Sequence, residues 1–187
     1  MKLQSLQQPH AIVMVGIPGS GKSQFAQKFA DMFEVPYINL AYIADRALTP
    51  ETAAELAYTQ LIEILKTKGT VLLELSTDTR ASRAEITKLV KQAGYASLFV
   101  WVQVDEQTAK QRTLKAKSLT ASEFVAQLKQ FSPPHPSEQA LVISGKHTYP
   151  TQARAVLKRI TEPRAAAAKA RRPSERPIKQ SQSLRIQ

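Results

Sequence analysis

The chain of 187 residues has no cysteine, which excludes disulfide cross-links and thiolate metal sites. No apolar run approaches the roughly 18 to 20 residues that a membrane-spanning helix requires, and residues 1–10 hold no apolar stretch of signal-peptide length. Both absences fit a cytoplasmic protein that makes no use of a membrane. Aromatic residues are sparse at 6%, with a single tryptophan, Trp101, in an apolar run where it reads as core. Its histidines, His10, His135 and His147, are too scattered for metal-ligand spacing and read as solvated or structural. Acids are also scarce: 15 Asp and Glu stand against 26 Lys and Arg, for a formal charge of +11. Residues 163–187 contain seven basic residues and Glu175 alone, so that stretch carries +6 of the total.

Against this background one stretch stands out. Gly16-Ile17-Pro18-Gly19-Ser20-Gly21-Lys22-Ser23 reads G-x-x-x-x-G-K-S, the P-loop or Walker A pattern. It follows the apolar run Ala11-Ile12-Val13-Met14-Val15 and precedes a helical pattern, the strand-loop-helix setting in which the pattern works. Glycines let backbone N–H groups converge on a phosphate, and the helix start adds unpaired N–H groups and its positive dipole end. Lys22 is expected to reach the β- and γ-phosphates and the Ser23 hydroxyl to ligate Mg²⁺. The nucleotide-contacting set expected here is Gly16 to Ser23 together with the next residue, Gln24. No guanine-reading N-K-x-D stretch occurs, which favours ATP as the ligand.

The remainder alternates short apolar runs with helical patterns. Phe25, Phe29, Met32 and Phe33 mark the core face of a helix over about 22–33. Residues 35–40 read as a second strand, and 41–48 as a loop or short helix containing Asp45-Arg46. A helix over about 50–66, with Thr49 as cap and Leu56, Ile62 and Leu65 apolar, stops at Gly69. Thr70-Val71-Leu72-Leu73-Glu74-Leu75-Ser76 reads as a buried parallel strand with a carboxylate near its end. That is the Walker B arrangement, with Glu in place of the usual Asp and Asp78 as the competing acid. A helix over about 82–93 ends at Gly94, a strand spans 98–104, and Asp105 caps a helix to about Ala116. A basic segment from Arg112 to Lys129, a proline-rich connector over 131–137, a fifth strand over 140–144 and a last helix over 149–161 complete the pattern. Strands separated by helices predict a three-layer α/β/α domain with a five-stranded parallel sheet and the ligand at the strands' C-terminal ends.

Over residues 12–160 the chain resembles small P-loop kinases, above all the polynucleotide-kinase-like (AAA-type ATP-binding) proteins. The likeness rests on the P-loop, on Glu74-Leu75-Ser76-Thr77-Asp78-Thr79-Arg80-Ala81-Ser82-Arg83 and on Gln111-Arg112-Thr113-Leu114-Lys115. The resemblance implies strand order 2-3-1-4-5, a kinase-like domain over 1–162 with a helical lid at about 112–132, and Arg112 as a lid arginine closing over the transferring phosphate. It also implies an acid just after the second strand, acting as base toward the acceptor hydroxyl. Leu40 and Ala41 occupy that place, and Asp45 comes a few residues late. The expected machinery is therefore Lys22, Asp45 and Arg112 for catalysis, Ser23 and Glu74 for the metal, and ATP with Mg²⁺ as cofactors. The expected function is transfer of the γ-phosphate to a hydroxyl of a nucleic-acid end, nucleoside or small metabolite. Loss of the base and of the Walker B aspartate would leave instead a catalytically weak ATP-binding switch. The basic stretch 163–187 is expected to be disordered, either as a solubilising terminus or as an arm for nucleic acid.

Overall fold

The computed structural model describes residues 8–161; the basic tail and the nucleic-acid contact expected of it lie outside the described residues. Five parallel strands form one sheet in the order β2-β3-β1-β4-β5. The strands are β1 (His10–Val15), β2 (Tyr37–Asn39), β3 (Val71–Glu74), β4 (Ala96–Gln103) and β5 (Leu141–Ser144). Seven helices are described: α1 (Lys22–Phe33), α2 (Leu40–Ala44), α3 (Pro50–Lys66), α4 (Arg80–Gln92), α5 (Glu106–Lys115), α6 (Ala121–Gln130) and α7 (Tyr149–Thr161). The α/β order of 2-3-1-4-5 implied by the resemblance is the order observed.

Central β1 explains the topology. Ala11 to Val15 are wholly buried, and β1 pairs with β3 (Ala11 with Val71) and with β4 along its whole length (His10 with Ala96 to Val15 with Trp101). Alternate side chains feed two cores: Ile12 and Met14 pack with Phe25, Phe29, Val156 and Ile160 on the α1/α7 face, while Ala11, Val13 and Val15 pack with Leu61, Ile86 and Val90 on the α3/α4 face. A strand buried on both sides reads as a continuous apolar run for this reason.

Two side chains placed on core faces by periodicity lie outside them. Met32 is 56% exposed, because the buried arc of α1 runs through Phe25, Ala26, Phe29, Ala30 and Phe33 and leaves Met32 on its rim. Leu56 is 46% exposed, because α3 buries the i, i+4 stripe Ala53, Ala57, Leu61 and Leu65. The second strand is shorter than its sequence pattern: only Tyr37–Asn39 pairs, since Asn39 turns the chain by accepting from the Tyr42 N–H as the cap of α2. Helix α4 begins two residues before the expected start, capped by Thr79 and Ser82.

A candidate nucleotide site at the P-loop

The sheet delivers the P-loop to the C-terminal end of β1, where the loop is gripped by two other elements. A Cβ on Gly19 (φ 74°) would collide with the Ala109 carbonyl and the Thr113 hydroxyl of α5, and one on Gly145 would collide with the Ser20 carbonyl. Glycine is required at both places because backbone approaches backbone there. Gly21, at φ 102°, caps α1 without any side-chain cap, so the first N–H groups of the helix are left for a ligand. A cavity of about 340 Å³ lies over this helix start, lined by Gly19, Gly21, Lys22, Ser23, Gln24 and Arg112 among others.

Lys22 folds back over the loop. Its Nζ donates to the Gly16 carbonyl at 2.7 Å and to the Ile17 carbonyl at 3.1 Å. Burial pushes the ammonium pKa down, opposed by the charges of Glu74 and Asp78. The next residue joins the loop to β3: Ser23 Oγ donates to Glu74 Oε1 at 2.8 Å. Glu74 Oε2 accepts from the Tyr37 hydroxyl at 2.5 Å, and Asn39 Nδ2 donates to that hydroxyl at 2.8 Å. Burial, then the Glu74 carboxylate, pushes the Tyr37 hydroxyl well above its ordinary range, so it stays protonated and donating. Of the two acids open in the sequence, Glu74 is the one in contact with Ser23; Asp78 lies exposed in the following loop. Tyr37 and Asn39 carried no signal in the sequence, because only the β2–β3 register, which sets Asn39 beside Glu74, brings them to the carboxylate.

Arg112 stands in the last turn of α5 and donates to the Gly145 carbonyl at 3.1 Å, with its side chain on the cavity. Asp45 is placed elsewhere. It is the exposed C-cap of α2, beyond β2, and is not among the residues lining the cavity. Its neighbour Arg46 lies 3.6 Å from the centre of the Tyr42 ring and donates to the Tyr42 carbonyl.

The site also rests on a residue whose weight the sequence did not disclose. Arg83 of α4 is wholly buried and forms a two-pronged ion pair with Glu138, Nε to Oε1 at 2.7 Å and Nη2 to Oε2 at 3.0 Å. Its Nη1 also donates to the carbonyls of Thr77 and Ser132. Ser132 N–H in turn donates to the Asp78 carbonyl, and Thr77 Oγ1 donates to the Met14 carbonyl of β1. The connector leaving α6 is thereby fastened to the loop behind Glu74.

Among solved structures the chain is similar to a gluconokinase from Sinorhizobium meliloti 1021, at 19% identity and a TM-score of 0.58, over 87% of this chain and 95% of that one. It is similar to a sugar kinase from Janibacter sp. HTCC2649, at 20% identity and TM-score 0.59, over 81% and 93%. It is also similar to Kti12 from Chaetomium thermophilum in complex with ADP-AlF3, at 19% identity and TM-score 0.63, over 80% and 96%. At these identities the likeness establishes the fold, a P-loop kinase fold. A search of curated proteins finds no match. The sequence profile of the AAA domain matches residues 12–134, and the chain belongs to that P-loop kinase-like family.

Proposed function

We propose that the protein is a small kinase that transfers the γ-phosphate of ATP to the hydroxyl of a nucleic-acid end, a nucleoside or a small metabolite. The observation that carries this reading is the convergence of Lys22, Ser23 and Arg112 on one cavity at the uncapped start of α1, with Glu74 hydrogen-bonded to Ser23. Phosphoryl transfer needs alignment and charge neutralisation more than covalent help. The acceptor oxygen forms a bond to the γ-phosphorus, the bond to the β–γ bridging oxygen breaks, ADP leaves and the hydroxyl proton passes to a base. In this reading Lys22 holds the β- and γ-phosphates, Arg112 closes on the transferring group from α5, and Asp45 receives the proton. Mg²⁺ fits the oxygen donors Ser23 and Glu74. Among the described residues no group of three His, Cys, Asp or Glu forms a protein cage, as suits a cation that takes most ligands from phosphates and water. When bound it would neutralise charge on the phosphates.

The reading is tested by γ-phosphate transfer from labelled ATP to a panel of 5′-hydroxyl oligonucleotides, nucleosides and polar alcohols. Transfer to none of them, with ATP bound, would overturn it. Asp45→Asn is expected to lower kcat by about 10²- to 10⁴-fold with unchanged affinity for ATP. A catalytically weak nucleotide switch is the second reading, favoured by the placement of Leu40 and Ala41 in the first turn of α2 and of Asp45 outside the cavity. It requires full function in Asp45→Asn.

Tyr37→Phe separates the metal from the nucleotide. The tyrosine holds Glu74 Oε2 while Ser23 holds Oε1, so its loss frees the carboxylate to turn from the metal side. The Mg²⁺ concentration for half-maximal transfer is expected to rise about 10-fold or more, as for other outer partners of metal-binding groups, with metal-free ATP affinity unchanged. An unchanged Mg²⁺ dependence would show that Glu74 needs no such anchor.

A further inference from the structure

A second cavity, of about 640 Å³, shares no lining residue with the first yet adjoins the same two elements: it touches Ile17 of the P-loop and the start of α5. It opens at the C-terminal ends of β4 and β5. Lys22 places its ammonium on the Gly16 and Ile17 carbonyls, and P-loop lysines reach the β- and γ-phosphates. The Ile17 end is therefore where the terminal phosphate belongs, and the second cavity begins beside it.

Its lining says what it would hold. Trp101 and Phe131, both half-buried, and Val142, 49% exposed on the edge strand, present aromatic and aliphatic surface. Trp101 packs against the core of the α3/α4 face yet stays half-buried near the C-terminal end of β4, beside its register partner Val142. The polar part of the lining is Gln103 and Ser144, which can exchange hydrogen bonds with a ligand, and the charged Asp105, Glu106 and Lys146. The cationic Lys146 is matched by Asp105 at 2.5 Å, and Glu106 beside it adds a negative charge. A carboxylate or phosphate would therefore find no free cation in the lining, and a polyol would leave the aromatic and aliphatic part of it uncovered. A flat ring with a few hydrogen-bonding edges fits both facts.

We propose that this cavity binds a neutral nucleoside, its base against Trp101 and its hydroxyl toward the phosphate at Ile17. Its role as acceptor site rests on the phosphoryl-transfer part of the kinase reading and not on Asp45, which follows β2 at the opposite edge of the sheet. Binding alone does not depend on that reading.

Trp101 is the only tryptophan of the chain, so its emission reports on this cavity alone. The full-length protein, saturated with Mg²⁺ and a non-hydrolysable ATP analogue, is titrated with uridine, with uridine monophosphate and with gluconate, exciting at the tryptophan edge. Saturable quenching by uridine, at least about 10-fold weaker for the two anions, is expected. Val142→Arg fills the mouth from an exposed edge position without disturbing a core, and is expected to weaken uridine binding about 10-fold or more while the analogue's affinity is unchanged. Flat emission with uridine overturns the inference, as does quenching by the ATP analogue that blocks uridine, which would make the cavity the seat of adenine. Transfer to a non-nucleoside acceptor with Trp101 silent overturns the inference and leaves the kinase reading standing. Quenching by uridine without transfer to anything sinks the kinase reading and supports nucleoside binding.

Discussion

Lys22→Ala is expected to weaken ATP binding about 100-fold and to abolish detectable transfer. The ammonium is partly withdrawn from water, with its pKa lowered by burial and hydrogen bonds to the Gly16 and Ile17 carbonyls. A phosphate arriving beside it gains charge-assisted hydrogen bonds without having to strip a full hydration shell from the lysine. Such bonds contribute about 1.5 to 3 kcal/mol, and each 1.4 kcal/mol is a factor of ten in affinity. Calorimetric titration with a non-hydrolysable analogue measures the loss. The unliganded melting temperature should hold within a few degrees, because alanine leaves only two carbonyls to be solvated at the cavity. An unchanged Kd would mean that the loop does not cradle phosphate.

The largest effect on stability is expected at Arg83. Replacement by Met strips the Glu138 carboxylate of its partner and leaves the Thr77 and Ser132 carbonyls without their donor, in a place where the arginine is wholly buried. Breaking a buried pair by removing one member costs about 3 to 5 kcal/mol. For a domain of this size that is on the order of 10 °C in Tm. Glu138→Gln is also expected to be costly, since it leaves the buried guanidinium without a counter-charge and turns an NH2 toward N–H donors. The two variants also differ in pH dependence. The Arg83 guanidinium beside it, opposed by partial burial, holds the Glu138 carboxyl below its usual range. The unfolded chain therefore binds the proton at higher pH than the native one. The stabilisation is complete above the ordinary glutamate pKa of about 4.3 and is lost as pH falls through the lower native value. The gap in stability between wild type and Glu138→Gln should accordingly begin to narrow below about pH 4. Chemical denaturation from pH 3 to 7 measures it, and a gap as large at pH 3 as at pH 7 would show that the pair's charge does not matter.

This contact is one that the sequence does not make legible. Arg83 and Glu138 are 55 residues apart, and Tyr37 lies 37 residues from Glu74. Neither pair belongs to any local pattern. The same limit explains Trp101. Its run of β-branched and aromatic neighbours marked a strand and suggested core, and Trp101 does pack against the core of the α3/α4 face, but its remaining open surface depends on which elements cover that face of β4. Asp45 was selected by type and approximate spacing, and the folded chain sets it at the exposed end of α2; its role as base is a proposal that Asp45→Asn tests.

The sequence by itself determined the strand-loop-helix around Lys22, the caps at Thr49 and Asp105, the glycine after α4 and the alternation that makes the sheet parallel. These depend on geometry within one turn or one strand, where hydrogen-bond spacing and side-chain period are properties of neighbouring residues. Tertiary structure alone decided that Glu74 is held by Ser23 and Tyr37, that Arg83 clasps Glu138, and that Trp101 faces a cavity. Each requires segments distant in the chain to meet, and what meets is set by sheet order and register, which no local period encodes.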